Sequence, residues 1–442
     1  MKSGKLRAGI DEREIRCDLG LIPGDGAPVA VGRRTPLFIK TTVLNNGLAG
    51  LAVVSLDIMG IPYGHTLRIR EAVTLKYPWL AENIMLCCSH THVAPSSLPS
   101  LHTYMEAFNP TAGPEAYKRE HDFLEDLTVD IIASVIAAAG NLFDASVGFV
   151  SLELPWLTFN RRRLTRDFGV ISHWMGVPEN QAYGVEGPID PELGYFLIRG
   201  VDFAPKAILW NFAGHNSFHF DDKYSADIAY SVQQAMDEKV GTHIPCLYAT
   251  GCSGDLNYFD YGNNDAQGNN FGLEKATEAI ASAIMASYRE ACTLPEVELG
   301  AVSAELVMGT RDISRQWWKD DIHKKLPGWE ASDYQEKELE FRRQEGKPTY
   351  TTEIMAMRVG SWALVGLPGE VFVQFGLDIK EKSPFRNTWV AAYADDYAGY
   401  IPTREAFVNG SYEAWPVLNA RVGQEGGYLM VEKVVELLES LV

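Results

Sequence analysis

An apolar run, Ile84-Met85-Leu86-Cys87-Cys88, ends directly on Ser89-His90-Thr91-His92, and this junction constrains the chain more than any other stretch. Five consecutive apolar residues after Asn83 read as a β-strand. Side chains on a strand alternate with a period of two, so His-x-His at its end is expected to put two imidazoles on the same side of the backbone. That arrangement suits a divalent metal, and the fold must therefore bring further ligands to the end of this strand.

The rest of the pattern alternates strand and helix signals. Two apolar strands, 37–44 and 51–58, flank the turn signal Asn45-Asn46-Gly47 and predict a hairpin. A helix is predicted over 65–76, followed by the His-x-His strand and a Pro- and Ser-rich loop over 93–114. A long amphipathic helix over 115–139 stops at Gly140. Strands are predicted over 145–154, 194–203, 206–212, 244–250, 352–359, 361–367 and 389–393, and helices over 225–239, 273–288 and 428–441. The Asn-, Asp- and Gly-rich stretch 258–272 reads as an irregular loop. Interleaved elements of this kind predict a mixed α/β chain of layered sheets flanked by helices. No repeat or linker divides it, so residues 1–442 are expected to form one domain. A charged, tryptophan-containing insertion at 311–347 (Trp317, Trp318, Trp329) is expected to be helical, as a lid or a contact between copies of the chain.

Composition narrows the function classes. The 39 basic residues against 58 acidic ones give a net charge of −19, which repels nucleic acid and anionic lipid. No stretch approaches the ~18 apolar residues of a membrane span, and Met1 to Arg7 lead into no apolar signal segment, so a cytoplasmic protein without stable membrane insertion is expected. The six cysteines include no CxxC pair and read as buried, reduced thiols.

Four further segments carry chemistry. In Trp210-Asn211-Phe212-Ala213-Gly214-His215 a strand runs into a Gly-His corner, which makes His215 a second metal-ligand candidate, with His219 as its local competitor. In Leu367-Pro368-Gly369-Glu370 a carboxylate follows a turn at a strand end, and a buried carboxylate requires a cation or several donors. Two imidazoles and one carboxylate form a familiar catalytic zinc set. The tyrosines of Asp395-Asp396-Tyr397-Ala398-Gly399-Tyr400 offer two phenols, either of which can donate to an oxyanion or ligate a metal. Thr250-Gly251-Cys252-Ser253-Gly254-Asp255-Leu256-Asn257 offers a glycine-rich backbone suited to an oxyanion nest, without the pattern of a nucleotide-binding loop.

Taken in order, His-Thr-His, Asn160-Arg161, the Ala-x-His-x-Ser corner, Ser225-Ala226-Asp227, the Gly-Asp loop, Pro-Gly-Glu and Tyr-x-Gly-Tyr-x-x-Thr resemble the catalytic domain of the neutral ceramidases. The resemblance spans nearly the whole chain. It implies one zinc ion held by His90, His215, Glu370 and Tyr400, with Tyr397 competing for the fourth place. It further implies that His92 assists proton transfer, that Arg161 orients substrate or a carboxylate, and that the reaction is hydrolysis of an amide. Two departures stand out. Where the family carries a serine in its Gly-Asp loop this chain has Asn257, which can donate to an oxyanion but cannot act as a nucleophile, so metal-activated water becomes the expected attacking group. The chain also resembles a short branch without the C-terminal immunoglobulin-like domain of the ceramidases. The expected function is thus a zinc-dependent, ceramidase-like amidase acting on a small soluble substrate. The alternatives are hydrolysis of a lactone, ester or glycoside, and a non-catalytic binding protein on the same fold.

Overall fold

In a computed structural model the described residues are 2–24, 29–98, 113–176, 180–258, 268–312, 343, 346–415 and 420–442. The larger of two main sheets has eight strands: β1 (Arg7–Glu14), β2 (Phe38–Asn45), β3 (Gly50–Leu56), β4 (Ile84–Cys88), β5 (Phe143–Glu153), β6 (Glu192–Gly200), β7 (Pro205–Phe212) and β8 (Cys246–Thr250). Their spatial order is β8-β7-β6-β5-β1-β2-β3-β4. The second sheet is β9 (Leu299–Gly309), β10 (Thr349–Val359), β11 (Trp362–Gly366) and β12 (Asn387–Ala391), side by side in that order.

Within both sheets neighbours are antiparallel except for three pairs, β3 with β4, β7 with β8 and β11 with β12. Parallel neighbours need a crossover. Helices α1 (Tyr63–Lys76), α3 (Ile228–Val240) and α5 (Val373–Lys382) supply one each. The long α2 (Gly113–Gly140) packs on β1 and β2, α4 (Gly268–Ser287) packs on α3, and α6 (Gly426–Ser440) covers β9 and β10. The result is four layers, helix, sheet, sheet, helix.

Strict alternation makes both faces of the strands apolar. Met85 and Cys87 of β4 join Phe196, Leu209, Leu247, Trp362, Leu364 and Trp389 in the core between the sheets. Ile84, Leu86 and Cys88 face the helix layer with Val54, Ile69 and Val73. An apolar run without polar breaks is what a strand covered on both sides requires.

The larger sheet curls until its two edges meet. Ser55 Oγ on β3 donates to the Tyr248 carbonyl of β8 at 2.9 Å and accepts from its N–H at 3.0 Å. Beyond the strand ends, the segment following β12 closes the seam: Ala392 N–H donates to Thr250 O, Cys88 N–H to Tyr393 O and Asp395 N–H to Leu86 O. The carboxyl ends of β4, β7, β8, β11 and β12 are thereby gathered in one place.

Most predicted elements lie where the sequence puts them, and the 45–47 turn has Asn46 Oδ1 accepting from the N–H groups of Leu48 and Ala49. Five cysteines are buried and unpaired, as expected, but Cys292 is exposed. Of the predicted insertion at 311–347, residues 313–342, 344 and 345, including its three tryptophans, lie outside the described residues, as do 99–112 and 259–267 of the two predicted loops. Among the described residues no helix is long and apolar enough to cross a membrane.

Candidate metal centre

Each arm of the site leaves the end of a strand that belongs to a parallel pair at a sheet edge. After β4, Ser89 N–H donates to Leu56 O and His90 N–H to Ile58 O, which pins the turn to the β3 side. His90 itself adopts φ +58°, a left-handed backbone that costs a non-glycine residue free energy and recurs at functional sites. The strand has ended, so simple alternation does not place the two imidazoles. His90 and His92 nevertheless share one pocket, with ring centroids 5.0 Å apart. His90 Nδ1–H donates to Met59 O at 2.9 Å, which fixes the tautomer and leaves the Nε2 lone pair facing inward.

His215 follows β7 by the same logic. Glycine is required before it, because a Cβ on Gly214 would stand 2.3 Å from the Tyr258 ring. His215 Nδ1 lies 3.2 Å from the Ser253 carbonyl, and donation there again leaves Nε2 bare. Glu370 follows β11 through Pro368 and Gly369, the latter at φ +89°. The Glu370 backbone pairs in parallel with Tyr400, joining the Pro-Gly-Glu turn to the tyrosine segment.

The functional atoms converge. His90 Nε2 lies 3.5 Å and His215 Nε2 3.9 Å from Glu370 Oε2. His92 Nε2 is 3.0 Å from His215 Nε2, and the three histidines offer nitrogens all within 4.8 Å of one another. His90 Nε2 and Glu370 Oε2 are fully buried with no hydrogen-bond partner among the described residues. A buried carboxylate oxygen and imidazole lone pair left this way are costly unless something cationic satisfies both. Ligand atoms around a tetrahedral zinc with bonds of about 2.0–2.1 Å sit roughly 3.3 Å apart, close to the separations observed. Burial, with Arg161 and the neighbouring histidines, holds the His215 and His92 imidazoles well below the usual histidine range, so both are neutral at pH 7 as ligation requires. The residues present fit zinc.

The two tyrosines divide their work. Tyr397 donates its hydroxyl to Glu370 Oε1 at 2.6 Å, whereas Tyr400 accepts from Arg161 Nη2 at 3.1 Å. Arg161 Nη1 reaches 3.5 Å from His215 Nδ1. Burial first, then the charge of Glu370, pushes both phenols well above the usual tyrosine range, so each is a protonated donor.

No described contact brings Asn257 to this group. It pairs with Phe159, and its Oδ1 is buried without a partner; no described contact joins its side chain to the histidines or Glu370. The Gly-Asp loop acts instead through Asp255, which accepts from Asn160 Nδ2 and Val373 N–H at 2.8 Å each, while its carbonyl accepts from Arg161 N–H. Burial lifts the Asp255 carboxyl to about 6. The competitor His219 pairs with Asp227 at 2.7 Å and is not part of the histidine cluster.

Tyr393 escaped the sequence reading. Its ring stacks on His90 at 3.9 Å, and its hydroxyl lies 3.1 Å from Ser253 Oγ. It ends the predicted strand 389–393, and no motif marks it; only its position at a strand exit, shared with His90 and His215, is a signal.

No protein-family model and no curated protein matches this sequence. Solved structures do. A neutral ceramidase from Pseudomonas aeruginosa aligns with a TM-score of 0.70 over 99% of this chain and 74% of its own, at 16% identity. A ceramidase complexed with C2 aligns at 0.69, covering 99% and 75%, also at 16% identity. At that identity the likeness is one of architecture: an alignment over 99% of the chain at this TM-score gives it the neutral ceramidase fold.

Proposed function

We propose that this protein is a zinc-dependent hydrolase that cleaves an amide bond, in the manner of an N-acyl hydrolase, in a small soluble substrate. The observation that carries the proposal is the pair of buried, unsatisfied lone pairs on His90 Nε2 and Glu370 Oε2, faced by His215 and His92. His90, His215 and Glu370 would hold the ion, with Tyr400 or Tyr397 beside it. A zinc ion held there would lower the pKa of a bound water toward about 7 and polarise a carbonyl.

The chain's own residues do the rest. His92 is neutral at pH 7 and sits among the ligands, where it takes up a proton at its imidazole and returns it to the leaving amine. Arg161 and the protonated Tyr400 face the same space and stabilise negative charge developing on the carbonyl oxygen. Esters and lactones pass through the same charge distribution and belong in the same substrate screen. A glycosidase needs two free carboxylates. Asp227 and Asp255 spend both oxygens on hydrogen bonds, which weighs against that chemistry. The net charge of −19 supports a soluble substrate over one embedded in an anionic bilayer.

Elemental analysis tests the reading. Purified wild type should hold about one zinc per chain, lost in His90→Ala, His215→Ala and Glu370→Gln with the circular dichroism unchanged. Stoichiometric zinc retained by both alanine variants would refute it.

A further inference from the structure

We infer that Glu413 is a positioning residue, which grips the Arg161 guanidinium from behind and aims its two terminal nitrogens at His215 and Tyr400 of the candidate metal site. The inference rests on the proposed site but concerns how that site is held. Glu413 is completely buried in the short turn Tyr412–Ala414, beyond the tyrosine motif that ends at Thr403 and outside every motif considered above.

Its carboxylate is fully engaged. Oε1 accepts from Arg161 Nε at 2.8 Å and from the Ser172 hydroxyl, and Oε2 accepts from Arg162 Nη1 at 2.7 Å. A guanidinium has a rigid, planar fork of donors. Fixing Nε therefore fixes the direction of Nη1 and Nη2, which point to His215 and to the Tyr400 hydroxyl. Burial acts against the Glu413 charge, yet Arg161 and Arg162 prevail and draw its carboxyl down to about 2. Arg162 is itself held by Glu186.

The turn that carries Glu413 is tied to the tyrosine segment as well. Arg311 donates from Nη1 to the carbonyls of Glu413 and Trp415, and from Nη2 to the carbonyl of Tyr400 at 2.9 Å. The acceptor that aims Arg161 and the phenol that Arg161 meets are thus fastened to one another. Two adjacent arginines sharing one carboxylate could have served stability alone. Here one of them ends inside the candidate site, and that gives the pairing a second consequence.

A double-mutant cycle separates the two roles. Glu413→Gln keeps the shape of the side chain and removes its charge, and Arg161→Lys removes the fork. Zinc content and circular dichroism are checked for each variant, and kcat/KM is measured on p-nitrophenyl acetate. If Glu413 acts through Arg161, Glu413→Gln lowers kcat/KM about 100-fold, the scale of a 1 Å misplacement. The double variant is then no slower than Arg161→Lys alone. Losses that multiply across the cycle, or a Glu413→Gln enzyme as fast as wild type, would overturn the inference. Crystal structures of wild type and Glu413→Gln give a readout independent of activity. The Arg161 guanidinium should leave Tyr400 in the variant, and an unmoved guanidinium would equally overturn the inference. Should Glu413→Gln fail to fold, Glu413→Asp keeps the charge, shortens the arm and is judged by the same displacement. Absence of zinc or activity in wild type would count against the proposed function, while the displacement of Arg161 would still decide the role of Glu413.

Discussion

Histidine 90 illustrates what a single residue contributes here. Its Nδ1 is committed to a carbonyl, its ring is plated by Tyr393, and its backbone is forced to positive φ. Tyr393 and Asp395 share that positive φ, so three non-glycine residues at the strand exits carry local strain. Sequence does not flag such backbone at a histidine or tyrosine; the histidines were legible through the His-Thr-His and Gly-His motifs, and Tyr393 sits in no motif. Glu370 was legible as a carboxylate at a strand end, but its satisfied oxygen required the fold. That oxygen yields a prediction. Removing the phenol in Tyr397→Phe leaves the Glu370 carboxylate without its orienting donor, and such losses typically weaken metal affinity 10–100-fold. Competition with a chromophoric chelator measures it. Unchanged zinc affinity would mean that Tyr397 does not orient the ligand.

Among the elements, those with long apolar runs or clean periodicity were legible, and those built from mixed residues were not. The hairpin β2–β3, strand β4 and helix α2 lie within a few residues of their predicted bounds. Strand β1, Arg-Ala-Gly-Ile-Asp-Glu-Arg-Glu, went unread because charge dominates its sequence, yet it sits mid-sheet between β5 and β2. Its backbone partners, not its side chains, make it a strand. Strand β9 and helix α5 were missed likewise: β9 mixes glycine and alanine with larger apolar residues and has no clean polar-apolar alternation, and α5 is only ten residues long. The two sheets are locked together by aromatic residues from three strands. Trp362 of β11 stacks on Phe196 of β6 at 5.1 Å and meets Trp389 of β12 edge-on at 4.7 Å. Trp389→Ala should cost about 3–5 kcal/mol through lost transfer energy and the cavity left behind, seen as a lowered urea midpoint. A loss below 1 kcal/mol would mean that the sheets are held together elsewhere.

At the scale of the molecule, surface contacts add to the core in tying the layers together. His243, just past α3, sits between Asp237 Oδ2 at 2.8 Å and Glu12 Oε2 of β1 at 3.1 Å. Burial disfavours its charge, but the hydrogen bond to Asp237 and the charges of Glu12 and Asp237 outweigh that and raise its pKa above 6.5. A raised histidine stabilises the fold fully below its unfolded value near 6.5, and the contribution is lost as pH rises through the folded value. The stability difference between wild type and His243→Ala should therefore be larger at pH 6 than at pH 9. Its size should stay within ~1 kcal/mol, because the side chain is half exposed. Equal differences at the two pH values would exclude the ion-pair clasp.

By itself the sequence picked out the residues that could carry metal chemistry, since His90, His92, His215 and Glu370 each follow an apolar strand. Local pattern sufficed because hydrophobic periodicity and turn residues act over a few positions. Only the tertiary structure decided which lone pairs face one another, that Tyr397 rather than Tyr400 meets Glu370, and that Glu413 stands behind Arg161. Those outcomes depend on residues 27 to 252 positions apart, and a contact across such a separation is fixed by how the two sheets curl and stack, which no local sequence pattern encodes.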